Sequence, residues 1–397
     1  MISGVLLPKV SRCASMVENK KMSKDTVREI DTIAAFKRQN GNLNHAVIQG
    51  LDTCSFEVDW DNIECEGAVF LGCCFSPEVG MDLLEKGAMI FPNIPDLPYQ
   101  PYRGELYTRE ELMQGWTRIE DNSVDKKIYD HFVAKGRANP NVLEALAQRL
   151  HDHAVDDALR DLLEGRVEKD GKKKVVAVMG GHGTPRTDPY YKKIVKLTRD
   201  LTKKGYFIAS GGGPGMMEAA NLGAWLADVD DAGLEEVFAI IGEAPTYKDP
   251  GYMESAQTVL DMYPIGHSSL AVPTWFYGHE PTNLFSKRIA KYFSNSIRED
   301  GLLAIAEYGV IFAPGSAGTT QEIFMDATQN HYVTFDAVSP MVFLGNKRYN
   351  EDTMIYPCIS QLAEGMDYKE MLLCTDDTDE IVSFIETHPP KVPKESQ

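Results

Sequence analysis

The sequence predicts an α/β chain: a doubly wound parallel sheet preceded by an additional α/β region. Three observations carry that expectation. Beyond residue 172, short apolar runs alternate with helical stretches; the runs are continuously apolar; and small residues gather where a run turns into a helix. Strands that are apolar throughout, each followed by a helix, describe a parallel sheet covered on both faces.

The elements follow in order. "VVAVMG" precedes "YYKKIVKLTRDLTKKG", "YFIASG" precedes "MMEAANLGAWLAD", and "VFAIIG" precedes "MESAQTVLDMY". Then "YGVIFAP" precedes "TTQEIFMDATQN", "PMVFLG" precedes "TMIYPCISQLAEG", and "LLCTDD" precedes "DEIVSFIETH". In the first half, "GAVFLGCCFSPEVGMDLLEKGAMIF" reads as strand, helix and strand, and "NPNVLEALAQRLHDHAVDDALRDLLEG" as a long amphipathic helix. His151 and His153 within it are two apart and point to different faces, so they make no helical metal pair. With Asp152, Asp156 and Asp157 they read as a solvated or inter-domain face. The charged "LEGRVEKDGKKK" marks a boundary. The expected units are an N-terminal α/β region over 1–165, a doubly wound α/β domain over 172–388 and a flexible tail over 389–397.

The totals exclude several functions. A length of 397 residues with 43% hydrophobic side chains favours two domains, and a formal charge of −19 argues against a broad nucleic-acid surface. A small anion in a local pocket remains compatible with that charge. Seven cysteines without paired C-x-x-C spacing suggest thiols in a reducing compartment rather than disulfides or a metal centre. No apolar run reaches membrane-spanning length, and the start "MISGVLLPKVSRCASMVENKK" has too short an apolar part for a secretory signal. The expectation is a cytoplasmic protein.

Three strand ends carry the chemistry: "MGGHGTPRTDP", "SGGGPGMMEAAN" and "PGSAGTTQE". Glycine there admits positive φ and close approach, and the following helix start offers N–H groups and the positive end of its dipole, a combination suited to phosphate. A dinucleotide fingerprint fails: counting G-x-G-x-x-G from Gly181 ends on Arg186, and from Gly211 on Met216.

The second and third of these turns resemble the two signatures of the LONELY GUY (LOG) phosphoribohydrolases and related bacterial nucleotide 5'-monophosphate nucleosidases, GGGxxGxM and PGGxGTxxE, a family often labelled "lysine decarboxylase". The resemblance spans about Lys174 to His388. It implies a Rossmann-like domain, at least a homodimer, no cofactor, and hydrolysis of nucleoside 5'-monophosphates to free base and ribose 5-phosphate. It gives Glu322 the role of catalytic glutamate and Arg298 that of its arginine partner, with Arg288 in "FSKRIAKYF" as the competing arginine on the family's helix. The implied contacts to phosphate and substrate are Gly180, Gly181, Gly211, Gly212, Gly213, Gly215, Met216, Glu218, Gly315, Ser316, Gly318, Thr319 and Thr320. Ser316 departs from the second glycine of the pattern, and Glu218 stands where plant-type members have glycine. Both departures weaken the case for cytokinin nucleotides.

A carboxylate near the ribose suits such a reaction, whose transition state is oxocarbenium-like. Two alternatives stay open at this point. Thr319-Thr320-Gln321-Glu322 is also a capping box, in which Thr319 caps the helix and Glu322 returns a bond. Glu322, Asp326 and Gln329 share one helix face, opposite Ile323 and Ala327, which lines a cleft or meets water. The second function class is a non-catalytic nucleotide-binding or sensing protein of the same fold; a single-strand DNA binder is disfavoured by the charge. Trp275, Phe276, Tyr277 and Met216 are the side chains placed to stack on a base or to pack in the core.

Overall fold

The computed structural model describes residues 28–167 and 173–392. The amino-terminal stretch read for a targeting signal, part of the charged boundary and the end of the tail lie outside the described residues. Two parallel sheets organise the chain. The smaller has the order β1-β2-β3-β4, from Arg28–Ile30, Ala46–Gln49, Val69–Leu71 and Met89–Phe91. Helices α1 (Ile33–Arg38) and α2 (Pro77–Glu85) connect its strands, and Ile30, Phe36, Ile48, Phe70 and Leu83 form its own core.

The main sheet has seven parallel strands in the order β11-β10-β9-β5-β6-β7-β8. They are β5 (Val175–Met179), β6 (Phe207–Ser210), β7 (Leu270–Ala271), β8 (Arg288–Ile289), β9 (Val310–Phe312), β10 (Met341–Leu344) and β11 (Leu372–Thr375). The chain builds outward from β5 to β8, then returns to add β9, β10 and β11 on the other side of β5. Strand order therefore reverses between β5 and β9, where crevices open in sheets of this kind.

Both faces are buried, as the unbroken apolar strands require. Val175, Ala177 and Met179 belong to one core, and their neighbours Val176 and Val178 to the other, following the two-residue period of a strand. On the first face pack α3 (Arg109–Met113), α4 (Val124–Ala134) and α5 (Val142–Glu164), which precede the sheet in sequence. The second face is covered by α6 (Pro189–Lys203), α7 (Met216–Trp225), α8 (Asp231–Ile241), α9 (Tyr252–Met262) and α13 (Thr378–Thr387). Three further helices, α10 (Asn295–Ile305), α11 (Ala317–Tyr332) and α12 (Ile355–Leu362), join the first face. Among the described residues no helix is long and apolar enough to cross a membrane.

Three local expectations need correction. "VFAIIG" is not a strand: it ends α8, which Asp230 caps by accepting the Gly233 N–H at 2.8 Å. Leu234, Val237, Phe238 and Ile241 are its buried stripe, spaced as a helix requires. The strand position is taken instead by the two-residue β7 in "SSLAVP". Arg288 lies on strand β8 rather than on a helix. The His151 end of α5 is not solvated: His151 is fully buried, 2.8 Å from the Tyr107 hydroxyl and 3.1 Å from Asp152.

Arg186 is the most extensively bonded cation of this core. Its Nε and Nη2 donate to the two Glu218 oxygens at 2.9 and 2.5 Å, and its Nη1 donates to the Tyr252 carbonyl and the Ser255 hydroxyl. Tyr191 donates to the same carboxylate at 2.9 Å. The cluster ties the turn after β5 to α7 and α9. Removing one partner of a buried pair leaves an uncompensated charge, so Arg186→Met should cost roughly 3–5 kcal/mol in urea unfolding. Adding Glu218→Leu should restore much of that loss; strictly additive costs would refute the coupling.

Asp326, on the polar face of α11, is buried against a cavity of about 30 Å³ that Leu303, Glu307, Asn330 and Ser339 also line. Its Oδ2 and the Asn330 Nδ2 make no hydrogen bond among the described residues. Burial pushes its carboxyl up from 3.8 to about 8. Across that window the unfolded chain loses a proton that the native state keeps, so stability falls as pH rises towards 8 and then levels. Asp326→Asn should remove this slope, gaining stability over the wild type between pH 4 and 8 in chemical denaturation; parallel curves would refute it.

Candidate functional site

The reversal of strand order brings three turns into backbone contact. The Gly181 N–H donates to the Pro314 carbonyl at 3.0 Å, and the Gly181 carbonyl accepts from Met216 N–H at 3.2 Å. A Cβ on Gly215, whose φ is +70°, would lie 2.4 Å from the Gly181 oxygen. A Cβ on Gly180 would lie 2.7 Å from that of Met216, and one on Gly315 only 2.1 Å from the Thr319 hydroxyl. No side chain fits at these crossings. The starts of α7 and α11 are thereby held together, and neither carries a side-chain cap.

The expected capping box does not form. Ser316 is the N-cap, and its carbonyl accepts both the Thr320 N–H and the Thr320 hydroxyl at 3.1 Å. The helix starts three residues earlier than the T-x-x-E pattern suggests, which puts Thr319 inside its first turn. Ser316 has φ −113°, outside the left-handed region that favours glycine. Ser316, Ala317 and Gly318 are exposed, and a Cβ on Gly318 or on Gly183 would meet open space.

Glu322 instead pairs with Arg298, Oε1 to Nη1 at 3.2 Å, and both side chains are nearly buried. Arg298 on α10 also lies 4.0 Å from Glu299, which accepts from Gln321 at 2.7 Å. Burial pushes the Glu322 carboxyl up and Glu299 adds to the rise, while Arg298 pulls it back. The Arg298 Nε, also buried, makes no hydrogen bond among the described residues. Position and pairing therefore bring Arg298, not Arg288, to Glu322.

Residues preceding the sheet set this geometry. Asp152 on α5 accepts from the N–H groups of Phe293 and Ser294 at 2.9 and 2.8 Å and so fixes the start of α10. Asp125 on α4 accepts from Trp275 Nε1, Thr282 and Lys291, which fastens the 273–291 segment over the site. Trp275 and Met216 are both buried, which removes them from the candidates for stacking on a ligand. Phe276 and Tyr277 stay exposed; the Tyr277 hydroxyl accepts from Asn295 at 2.9 Å. Burial pushes that hydroxyl up, and the charges of Arg298, Glu299 and Glu322 act on it.

The second glycine turn lies deeper than expected. Gly211, Gly212, Gly213 and Gly215 are buried, and Cβ atoms there would strike Met217, Pro273, Glu280 and the Gly181 carbonyl. Both Glu218 oxygens are engaged within the buried cluster, by Arg186 and Tyr191, and an anionic carboxylate is no partner for a phosphate. Sequence reading passed over Glu299, adjacent to Arg298, and Arg348, which donates to the Gly315 carbonyl at 2.6 Å. Nothing in the local pattern of "NKRYNED" signals that contact.

No family model matches the chain, and no curated protein does. Among solved structures it is similar to the molybdenum cofactor binding protein from the phototrophic bacterium Rippkaea orientalis, at 13% identity over 54% of this chain and 95% of that one, with a TM-score of 0.34. It is also similar to the Moco carrier protein from Chlamydomonas reinhardtii, at 13% identity, 54% and 95% coverage and a TM-score of 0.33. A structural genomics target, TM1055, matches at 18% identity over 53% and 98%, with a TM-score of 0.33. The resemblance to the nucleosidases, and with it the expected hydrolase activity and nucleoside monophosphate partner, is not borne out: of these three structures two are described as binding or carrying molybdenum cofactor and the third by no function. The physical reason is that glycine turns and an arginine–glutamate pair specify a cradle at a sheet edge, not the reaction carried out there.

Proposed function

We propose that the chain binds a small phosphorylated molecule between the turns after β5 and β9. The observation that carries this reading is the uncapped start of α11 beside the Gly181–Gly183 turn, with open space at Gly318 and the Arg348 guanidinium at the Gly315 carbonyl. Helix starts present N–H groups and a positive dipole end, and the arginine adds a full charge. In this reading the phosphate rests on Gly181, Gly315, Ser316, Gly318, Thr319 and Thr320. Arg298, Glu322 and Tyr277 meet the polar remainder of the ligand, while Gly180, Gly211–Gly213, Gly215 and Met216 shape the cradle from beneath. The reading is one of binding, with no reaction assigned. The six free cysteines among the described residues suit a reducing, cytoplasmic compartment.

The test is a thermal-shift and calorimetric titration with inorganic phosphate, pyrophosphate, a phosphomonoester of an aromatic heterocycle and its dephosphorylated counterpart. Molybdenum cofactor, named for two of the matched structures, belongs in the same series. A bound ligand at a hundred times its Kd should stabilise the fold by about 2.7 kcal/mol. Gly318→Asp places a carboxylate in the first turn of α11, where it favours the helix and repels an anion. The variant should keep or gain stability and lose phosphate-dependent binding at least tenfold. Equal binding by wild type and variant, or no preference for the phosphorylated member of the pair, would overturn the proposal.

A further inference from the structure

The smaller sheet carries a second arrangement at the carboxyl ends of its strands. Cys54 follows β2 in a short turn over Thr53–Ser55, and Cys74 follows β3. Backbone bonds hold the two in register: Cys74 N–H donates to the Leu51 carbonyl at 3.1 Å, and Asp52 and Cys74 form a parallel bridge. The Thr53 hydroxyl donates to the Cys74 carbonyl, and Asp52 accepts from Cys54 N–H at 3.1 Å. Both thiols are exposed, and their sulfurs are 2.9 Å apart. Cys65 and Cys73, in the same unit, are buried, and Cys73 turns inward to the Ile48 carbonyl.

Asp52, Cys54 and Cys74 also place three donor atoms within 4.8 Å of one another, as a metal site would. The sulfur separation decides between the two readings. Two thiolates on a tetrahedral ion with 2.3 Å bonds stand about 3.8 Å apart, whereas a disulfide brings them to about 2.05 Å. At 2.9 Å the pair is already closer than an ion would hold it, and one Asp52 oxygen is engaged with Cys54 N–H. We propose that Cys54 and Cys74 are a reversible dithiol–disulfide couple, oxidised by a small-molecule disulfide such as oxidised glutathione.

One thiolate attacks the oxidant's S–S bond, forms a mixed disulfide and releases one glutathione thiolate. The second protein thiolate then attacks the protein sulfur of that mixed disulfide and expels the other. Two S–H bonds and one S–S bond are exchanged for one protein S–S bond and two glutathione thiols. Two electrons pass to the oxidant, and both protons end on the released thiols.

The full chain, reduced and then equilibrated with glutathione mixtures, should lose the mass of two hydrogens and regain it with dithiothreitol. No Lys or Arg lies between the two cysteines, so cleavage after Glu57, Glu64 and Glu66 is needed to map the cross-link. Cys73→Ser should keep the cross-link. Cys54→Ser should lose it and carry a single glutathionyl group on Cys74. Separate glutathionyl adducts on both cysteines of the wild type, a cross-link that survives Cys74→Ser, or uptake of Zn²⁺ by the reduced protein through both thiols would each overturn the proposal. The wild-type map decides even if a serine variant fails to fold.

Discussion

The main sheet places one backbone where no side chain fits. Gly181 lies between two other turns, its N–H bonded to the Pro314 carbonyl and its carbonyl to Met216. This crossing exists because β5 has neighbours laid down on opposite passes of the chain, β6 on the outward pass and β9 on the return. Strand order thus converts three separate glycine turns into one contact surface, and the helices leaving those turns start from it. The starts of α7 and α11 meet at this crossing, and Arg348 adds a bond to the Gly315 carbonyl beside it.

The second constraint is electrostatic. Asp125, Asp152 and Asp156 lie on helices that precede the sheet in sequence, yet their carboxylates bond the segment from Trp275 to Ser294. A buried carboxylate is tolerable only when donors replace its water; Asp125 and Asp152, which are buried, and Asp156, which is half-buried, each have at least one at 2.7–2.9 Å. The cost of burial is thereby offset by bonds that orient the covering segment and the first turn of α10. Residues 94–163 act as scaffold for a site that contains none of their own side chains.

Much of the framework is legible in the sequence. Unbroken apolar runs identify β5, β6, β9, β10 and β11, whereas Arg298 is singled out only by the motif resemblance, with Arg288 as its competitor, and its pairing with Glu322 is a matter of tertiary geometry. Other features depended on tertiary context. The strand β7 has two residues and no periodicity to detect, while "VFAIIG" looked like a strand because the buried stripe of α8 ends in consecutive apolar residues. T-x-x-E at Thr319 is a valid start signal that lost to Ser316 three residues earlier, where the carbonyl was already accepting the first helical bond. The inference from motif to reaction failed for a different reason. Residues that shape a phosphate cradle are constrained by the backbone, whereas the chemistry done there is not, so a shared turn does not transmit an activity.

Burial of the Gly211–Gly215 turn has a consequence for traffic. Pro273 and Glu280 cover these glycines, and the covering segment is fastened at Asp125. A molecule arriving from solvent has no approach from that side. Among the described residues the surface is open at Gly183 and Gly318, so the start of α11 is reached from their side rather than from over the buried glycines.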